Sequence, residues 1–235
     1  MLKLISSMAT RQLLADLAAQ WQRMSGVEVA IESVGGVDAA KRVVAGEAFD
    51  GVVLASDAID KLMAGGHVLA SSRVDLVRSS VAVAVIAGAQ IPDIGTEAAL
   101  RSAIVAAPSI GYSTGPSGVA LVKLFEKWGI LGDLQNRIVQ APPGVPVGKL
   151  VAGGEVALGF QQLSELMHLD GITVVGTLPV AVSITTIFSA GVCTLCTQRN
   201  DLTLFMDFIQ TQEAALIKQQ HGMSALGTFA KSDVT

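Results

Sequence analysis

Short runs of valine, alanine and leucine alternate along this chain with stretches whose apolar positions recur every three or four residues. The first pattern marks buried strands and the second amphipathic helices. Leu2-Lys3-Leu4-Ile5 opens as a short strand, Ser6-Ser7-Met8-Ala9-Thr10 reads as a turn of small polar residues, and Arg11 to Met24 carries a helical stripe. Continued along the chain, the pattern predicts strands at 2–6, 27–33, 51–55, 80–86, 109–112, 136–140, 156–160, 172–176 and 183–196. It predicts helices at 10–24, 36–45, 57–64, 95–105, 116–128, 146–152, 161–168 and 200–220. Most connections are short and rich in Gly, Ser or Pro. Alternation of this kind predicts an α/β architecture with mainly parallel sheets.

Two stretches repeat one plan. Val44-Ala45-Gly46-Glu47-Ala48-Phe49-Asp50-Gly51-Val52-Val53 and Val151-Ala152-Gly153-Gly154-Glu155-Val156-Ala157-Leu158-Gly159-Phe160 each read as a helix end, a glycine stop, an acid and a buried strand. The echo suggests two lobes, although a generic helix-to-strand connector accounts for it almost as well. Two extended segments, Ser79 to Ile86 and Ser183 to Ser189, are candidate crossovers. They divide the chain into a first lobe of 1–82 plus 189–235 and a second of 83–188. In such proteins ligands sit in a central cleft, outside the strand C-termini.

Composition narrows the function. The 235 residues are 51% hydrophobic with mean hydropathy +0.55, yet no segment has the long uncharged apolar span of a membrane helix, so direct membrane insertion is not expected. A net charge of −4, 15% charged residues and 4% aromatics provide neither the basic stripe nor the stacking platform that nucleic acid needs. Lys3 is the only early cation and the apolar stretch after it is too short for a signal peptide. As written the chain reads as cytoplasmic, or as periplasmic if it is a mature form with a start methionine added.

No P-loop, dinucleotide fingerprint or nucleophile elbow is present, so neither a cofactor nor a metal is expected. Cys193 and Cys196 form a C-x-x-C inside a predicted strand. There their side chains point to opposite faces, and they read as two buried structural thiols.

What recurs is a small polar turn just after a strand. Ser6-Ser7 follows the first strand, Gly35-Gly36 the second, and Ser56 the third. Tyr112-Ser113-Thr114-Gly115-Pro116-Ser117-Gly118 follows a strand of the second lobe and opens a helix. Pro116 suits a first helical turn, and Gly115 and Gly118 let the backbone approach a ligand. Each turn alone is ordinary helix capping. Together, at the same edge of both lobes, they point to a cradle for a small anion. Three further candidates join them. Arg78 could clamp a carboxylate, or pair on the surface with Asp75 or Asp57. Gln161 and Gln162 could donate amides to an anion or cap a helix. Val147 and Gly148 could offer N–H groups, or belong to a rigid connector. For proton transfer, Glu165 and His168 lie three apart on one face of a predicted helix, where they could act as acid and base or form a solvated surface contact.

The order of elements resembles the type II periplasmic binding-protein fold, and most of all its molybdate-binding branch. The resemblance runs through Ser6-Ser7-Met8-Ala9, Lys41-Arg42-Val43-Val44-Ala45-Gly46-Glu47-Ala48-Phe49-Asp50 and Leu54-Ala55-Ser56-Asp57. It continues through Pro116-Ser117-Gly118, Lys127-Trp128-Gly129, Gly159-Phe160 and Lys218-Gln219-Gln220-His221-Gly222. It implies a two-lobed solute-binding protein that takes a small anionic ligand and, if exported, partners an ABC permease. This chain has Gly35-Gly36 where that branch typically offers serine hydroxyls, and Gln161-Gln162 where it often has tyrosine. Together with the charge of Arg78, these departures favour a larger, carboxylate-bearing ligand, a di- or tricarboxylate. Aconitate isomerase is similar to the molybdate-binding proteins. It implies the alternative of a cofactor-free proton shift on a tricarboxylate, with Arg78 and the helix starts holding carboxylates. A transcriptional or sensory ligand-binding module is the third reading.

Overall fold

The structure, a computed structural model, describes residues 1–226. The tail of the expected first lobe, 227–235, lies outside them. The chain divides into two compact units, Met1–Arg78 with the chain from Ile187, and Ser79–Thr186. The division expected from sequence lay at 82 and 189. Both crossings fall within strands: β4 (Val74–Ile86) and β9 (Thr185–Val192) carry the chain from one unit to the other.

In the first unit β1 (Leu2–Ser7) pairs in parallel with β2 (Val29–Val34) and β3 (Gly51–Ala55), and β9 closes the row antiparallel to β3. Parallel neighbours need a crossover connection, and here α1 (Arg11–Ser25) and α2 (Gly36–Val44) supply it. The helix α3 (Ser56–Ala64) leaves the end of β3. Leu2 and Leu4 face a core shared with Leu13, Leu14 and Leu17 of α1 and with Phe205. Ile5, one residue on, faces the opposite core of Ala39, Val43, Val52, Leu54 and Ile59. Burial on both faces explains the uninterrupted apolar runs of these strands.

The second unit repeats the device. Here β5 (Ile110–Tyr112) pairs in parallel with β6 (Ile138–Gln140) and β7 (Leu158–Gln162), while β4 runs antiparallel to β7 and to β8 (Ile172–Thr177). Parallel pairing thus holds within each crossover set, and the strands that link the units supply the antiparallel pairs. Phe125 and Leu121 of α5 (Pro116–Lys127) pack with Phe160 and Ile110 on one face. On the other, α7 (Val147–Ala152) sits so close that a Cβ at Gly159 would stand 2.4 Å from Val151 Cγ2. Only glycine there admits the helix.

Several boundaries differ from the expected ones. The long strand β4 begins at Val74, not at 80, because Asp75 is satisfied within the fold: Arg73 Nε donates to it at 2.9 Å and Ser189 Oγ at 2.7 Å. Gln161 and Gln162 end β7 rather than start a helix, and α8 (Leu163–Leu166) is a single turn. The expected helix at 200–220 is two, α9 (Arg199–Ile209) and α10 (Gln212–Gln220). Thr211 breaks it: its hydroxyl caps α10 by accepting from Ala214 N at 3.3 Å. The helix α4 (Glu97–Ala106) is capped in the same way by Thr96. The short helix α6 (Leu131–Leu134) and strand β10 (Met223–Ala225) had no sequence signal long enough to register.

The last expected strand stops at Val192, so the C-x-x-C is a turn in which Cys196 N–H donates to the Cys193 carbonyl at 3.0 Å. Both thiols are free and buried. Burial pushes the Cys193 thiol up to about 12, which keeps it protonated and inert.

Candidate ligand site

In the first unit the C-terminal ends of three parallel strands share one edge, because Ser6 pairs with Ser33 of β2 and with Val53 of β3. Each strand leads straight into helical structure. Ser7 starts a 3-10 turn, Met8–Thr10, that runs into α1; Gly35 precedes α2; Ala55 precedes α3, with Ser56 as its first residue. None of these starts has a side-chain cap, so their first N–H groups are left for other acceptors.

Ser6 Oγ lies 2.8 Å from Ser33 Oγ. Ser7 is different: its hydroxyl is buried and finds no hydrogen-bond partner among the described residues. A Cβ added at Gly36 would stand 3.8 Å from Ser7 Cβ, which puts the unpaired hydroxyl beside the start of α2. Buried hydroxyls without partners are rare because desolvating them costs about 1–3 kcal/mol. The acids in these first turns are already paired, Asp38 with Lys41 at 3.8 Å and Asp57 with Lys61 at 3.7 Å.

The second unit builds a similar edge. Beyond the last β5–β7 pair, Tyr112–Phe160, come Ser113 on one strand and Gln161 on the other. The turn into α5 is tight: a Cβ at Gly118 would fall 1.8 Å from the Ser113 carbonyl oxygen. Ser113 Oγ and Ser117 Oγ are 3.1 Å apart, Ser117 is buried, and Thr114 is exposed. The twelve-residue α5 begins without a side-chain cap, has Pro116 in its first turn and carries no acid there, so its dipole meets no opposing charge.

Gln161 and Gln162 are both buried. Gln162 Nε2 donates to Thr186 Oγ1 at 2.8 Å, while its Oε1 is buried without a partner among the described residues. Val147 does not present its N–H outward, because that group donates to Gln161 Oε1 at 2.8 Å, and Gly148 beside it is buried. Gln161 Nε2 donates in turn to Glu165 Oε1 at 2.8 Å. The expected Glu165–His168 helix face is cut short: α8 ends at Leu166, and His168 lies beyond it, exposed. Burial pushes the Glu165 carboxyl up to about 7, against the lowering effect of the Gln161 bond.

Arg78 is exposed on β4 and forms no ion pair among the described residues. Its expected surface partners are taken. Asp75 is held by Arg73, which also reaches Asp60 at 2.7 Å, and Asp57 is held by Lys61. The sequence reading missed Thr186 and Ser79. Thr186 is buried against Gln162, and the Ser79 hydroxyl is buried without a partner among the described residues. Both sit in apolar crossover segments, where a single small hydroxyl gives no periodic signal.

A separate cavity of about 160 Å³, lined by Val43, Glu47, His67 and Cys193 among others, lies at the opposite end of β3 from Ser56. Among the described residues no group of three or more His, Cys, Asp or Glu is arranged to hold a metal ion. No helix among them is long and apolar enough to cross a membrane.

Two units, each with parallel strands ending in small polar turns and uncapped helix starts, and each receiving the chain through β4 and β9, define the type II periplasmic binding-protein-like fold. The chain belongs to the bacterial extracellular solute-binding protein family, whose model matches residues 2–224. Aconitate isomerase from a Pseudomonas species is 32% identical over 228 residues, spanning 94% of this chain and 87% of the enzyme. The periplasmic molybdate-binding protein of Azotobacter vinelandii superposes with a TM-score of 0.80 at 21% identity, over 97% of this chain and 100% of its own. PEB3 of Campylobacter jejuni, solved with L-phospholactate bound, superposes with a TM-score of 0.76 at 16% identity, over 96% of this chain and 100% of its own.

Proposed function

We propose that this solute-binding protein takes a small organic anion, a di- or tricarboxylate. The observation that carries the reading is the buried, unpaired Ser7 hydroxyl beside the uncapped start of α2, where Gly35 and Gly36 contribute backbone N–H groups and no side-chain bulk. In the second unit the proposed contacts are Ser113, Ser117 and Gly118 at the start of α5, with the second amide hydrogen of Gln162 Nε2, the first being held by Thr186 Oγ1. Arg78, exposed and unpaired, adds the one full positive charge. Its fork matches a carboxylate with two parallel bonds. A compact oxyanion is served by neutral donors alone. A guanidinium and glycine-made space suit a larger and more highly charged guest. If the protein is exported, an ABC permease is its proposed partner.

The second reading is catalytic: a proton shift between two carbons of a tricarboxylate, with no net oxidation. It draws on the aconitate isomerase relative and on the Glu165 carboxyl, which is poised to exchange a proton near neutrality. In it, a base takes a proton from one carbon and an acid returns it to another. Helix-start N–H groups stabilise the enolate-like charge between those steps.

One experiment tests both. The protein is incubated with cis- or trans-aconitate, molybdate or sulfate, and melting is followed for each. The aconitate samples are then held in D2O and read by NMR. Stabilisation by an aconitate without exchange supports the receptor. Deuterium incorporation or interconversion supports the isomerase. Stabilisation by molybdate or sulfate alone overturns the carboxylate assignment.

A further inference from the structure

One largely buried polar chain in the second unit plays no part in the receptor reading. Gln161 is clamped at both ends, its carbonyl by the Val147 N–H and its amide by the Glu165 carboxyl, each at 2.8 Å. The two bonds fix which way the amide faces, since only the oxygen can meet an N–H. Apolar side chains surround α8: Ala82, Ala84 and Leu166 are buried there, with Leu163, Ile172 and Val174 at the margin.

The helix packs on β7, β8 and α7, and its Leu166 joins Ala82 and Ala84 of β4, whose ionisable side chains are Asp75, held by Arg73, and the exposed Arg78. Neither β7 nor β8 carries an ionisable side chain, and the one on α7, Lys149, is exposed. His168 and Asp170, in the turn after α8, are exposed as well. No cation forms an ion pair with Glu165 among the described residues; its bond comes from a neutral amide. A carboxyl so placed resists ionisation.

We propose that Gln161 ties the proton on Glu165 to the anion held at the β5–β7 edge, so that ligand capture takes up a proton. The inference rests on the anion-binding reading. Gln161 follows Phe160, whose partner Tyr112 leads directly into Ser113 and the start of α5, so the clamped amide sits one residue beyond the strand pair that ends at the proposed contacts. A negative charge arriving there disfavours a second negative charge nearby and raises the affinity of Glu165 for its proton. The group that burial holds near 7 when the site is free then protonates on binding. Gln161 is a positioning residue in this scheme, and Glu165 carries the proton.

The test has two arms. In ligand-free protein labelled with [13C]glutamate, the Glu165 resonance is assigned by its loss in Glu165→Gln, and its titration midpoint is expected near 7. A midpoint at the ordinary 4.5 overturns the proposal. Gln161→Leu removes a bond to the carboxylate and is expected to move the midpoint higher, while an unchanged midpoint overturns the role of Gln161. In the second arm, trans-aconitate and, separately, molybdate are titrated calorimetrically at pH 7.5 in two buffers of different ionisation enthalpy. Uptake of roughly half a proton is expected, falling to none at pH 5.5 and none in Glu165→Gln. Binding without proton uptake overturns the coupling and leaves the anion reading standing. No binding of either probe overturns both.

Discussion

At the scale of single residues, the start of α5 makes the sharpest demand on the sequence. A methyl group at Gly118 would fall 1.8 Å from the Ser113 carbonyl oxygen, which is backbone and cannot swing away. Gly115, three residues earlier, meets nothing within 4 Å. Gly118→Ala is therefore expected to cost about 3 kcal/mol or more of stability, and Gly115→Ala less than about 1 kcal/mol, both read from urea unfolding. Equal costs would mean that the turn has another shape. Arg78 makes the opposite kind of demand, since it is exposed and pairs with nothing among the described residues. Arg78→Ala should leave unfolding unchanged and weaken trans-aconitate binding at least tenfold, roughly 1.4 kcal/mol, by calorimetry. Unchanged affinity would remove Arg78 from the site.

At the scale of elements, α10 hides an expense. Lys218 shares the buried face of this helix with Ala214 and Ala215, and only 2% of it is exposed. Burial holds its ammonium down from 10.5 to about 8. Below pH 8 both folded and unfolded chains carry the charge, and the folded one bears the whole desolvation cost. Between 8 and 10.5 the folded chain has lost the proton while the unfolded chain keeps it, so stability rises with pH. Lys218→Met should thus be more stable than the parent at pH 7, by at most about 3 kcal/mol. The gain should fade as pH climbs through 10.5. Thermal melts at pH 7 and pH 10.5 check the sign, and a gain that grows with pH contradicts it.

Elements also mark what was legible in advance. The strands β1 and β3 could be read to within a residue, because burial on both faces leaves a continuous apolar run. The first half of β4 could not, because Asp75 interrupts the run, and the groups that make its burial tolerable include Ser189, 114 residues away. Two adjacent glutamines look like a helix start. Two of their partners, the Val147 N–H and the Thr186 hydroxyl, lie 14 and 24 residues off, beyond any local pattern. The polar turns were visible because small polar residues recur directly after the apolar runs of both units, although each alone reads as a helix cap. Which of their atoms the fold leaves unpaired was not, since Ser6 and Ser7 are chemically identical and only the β1–β2 register gives Ser6 a partner in Ser33.

At the scale of the whole molecule, the chain carries a net charge of −4 and is proposed to capture an anion. The overall field therefore opposes the ligand, and attraction has to come from groups close at hand. Backbone N–H groups and hydroxyls act over a few ångströms and are hardly screened by salt; a cluster of cations would be. With Arg78 as the single proposed cation, the two salt effects act against each other, since screening weakens one attractive contact and also weakens the long-range repulsion. Raising the ionic strength from about 0.05 to 0.5 M is expected to change trans-aconitate affinity less than about tenfold by calorimetry, because the Debye length falls only from roughly 14 to 4 Å and short contacts survive it. A loss of a hundredfold or more would mean that several cations, not oriented dipoles, hold the ligand. The reading built on Ser7, Gly36 and the start of α5 would then give way to one built on lysines and arginines.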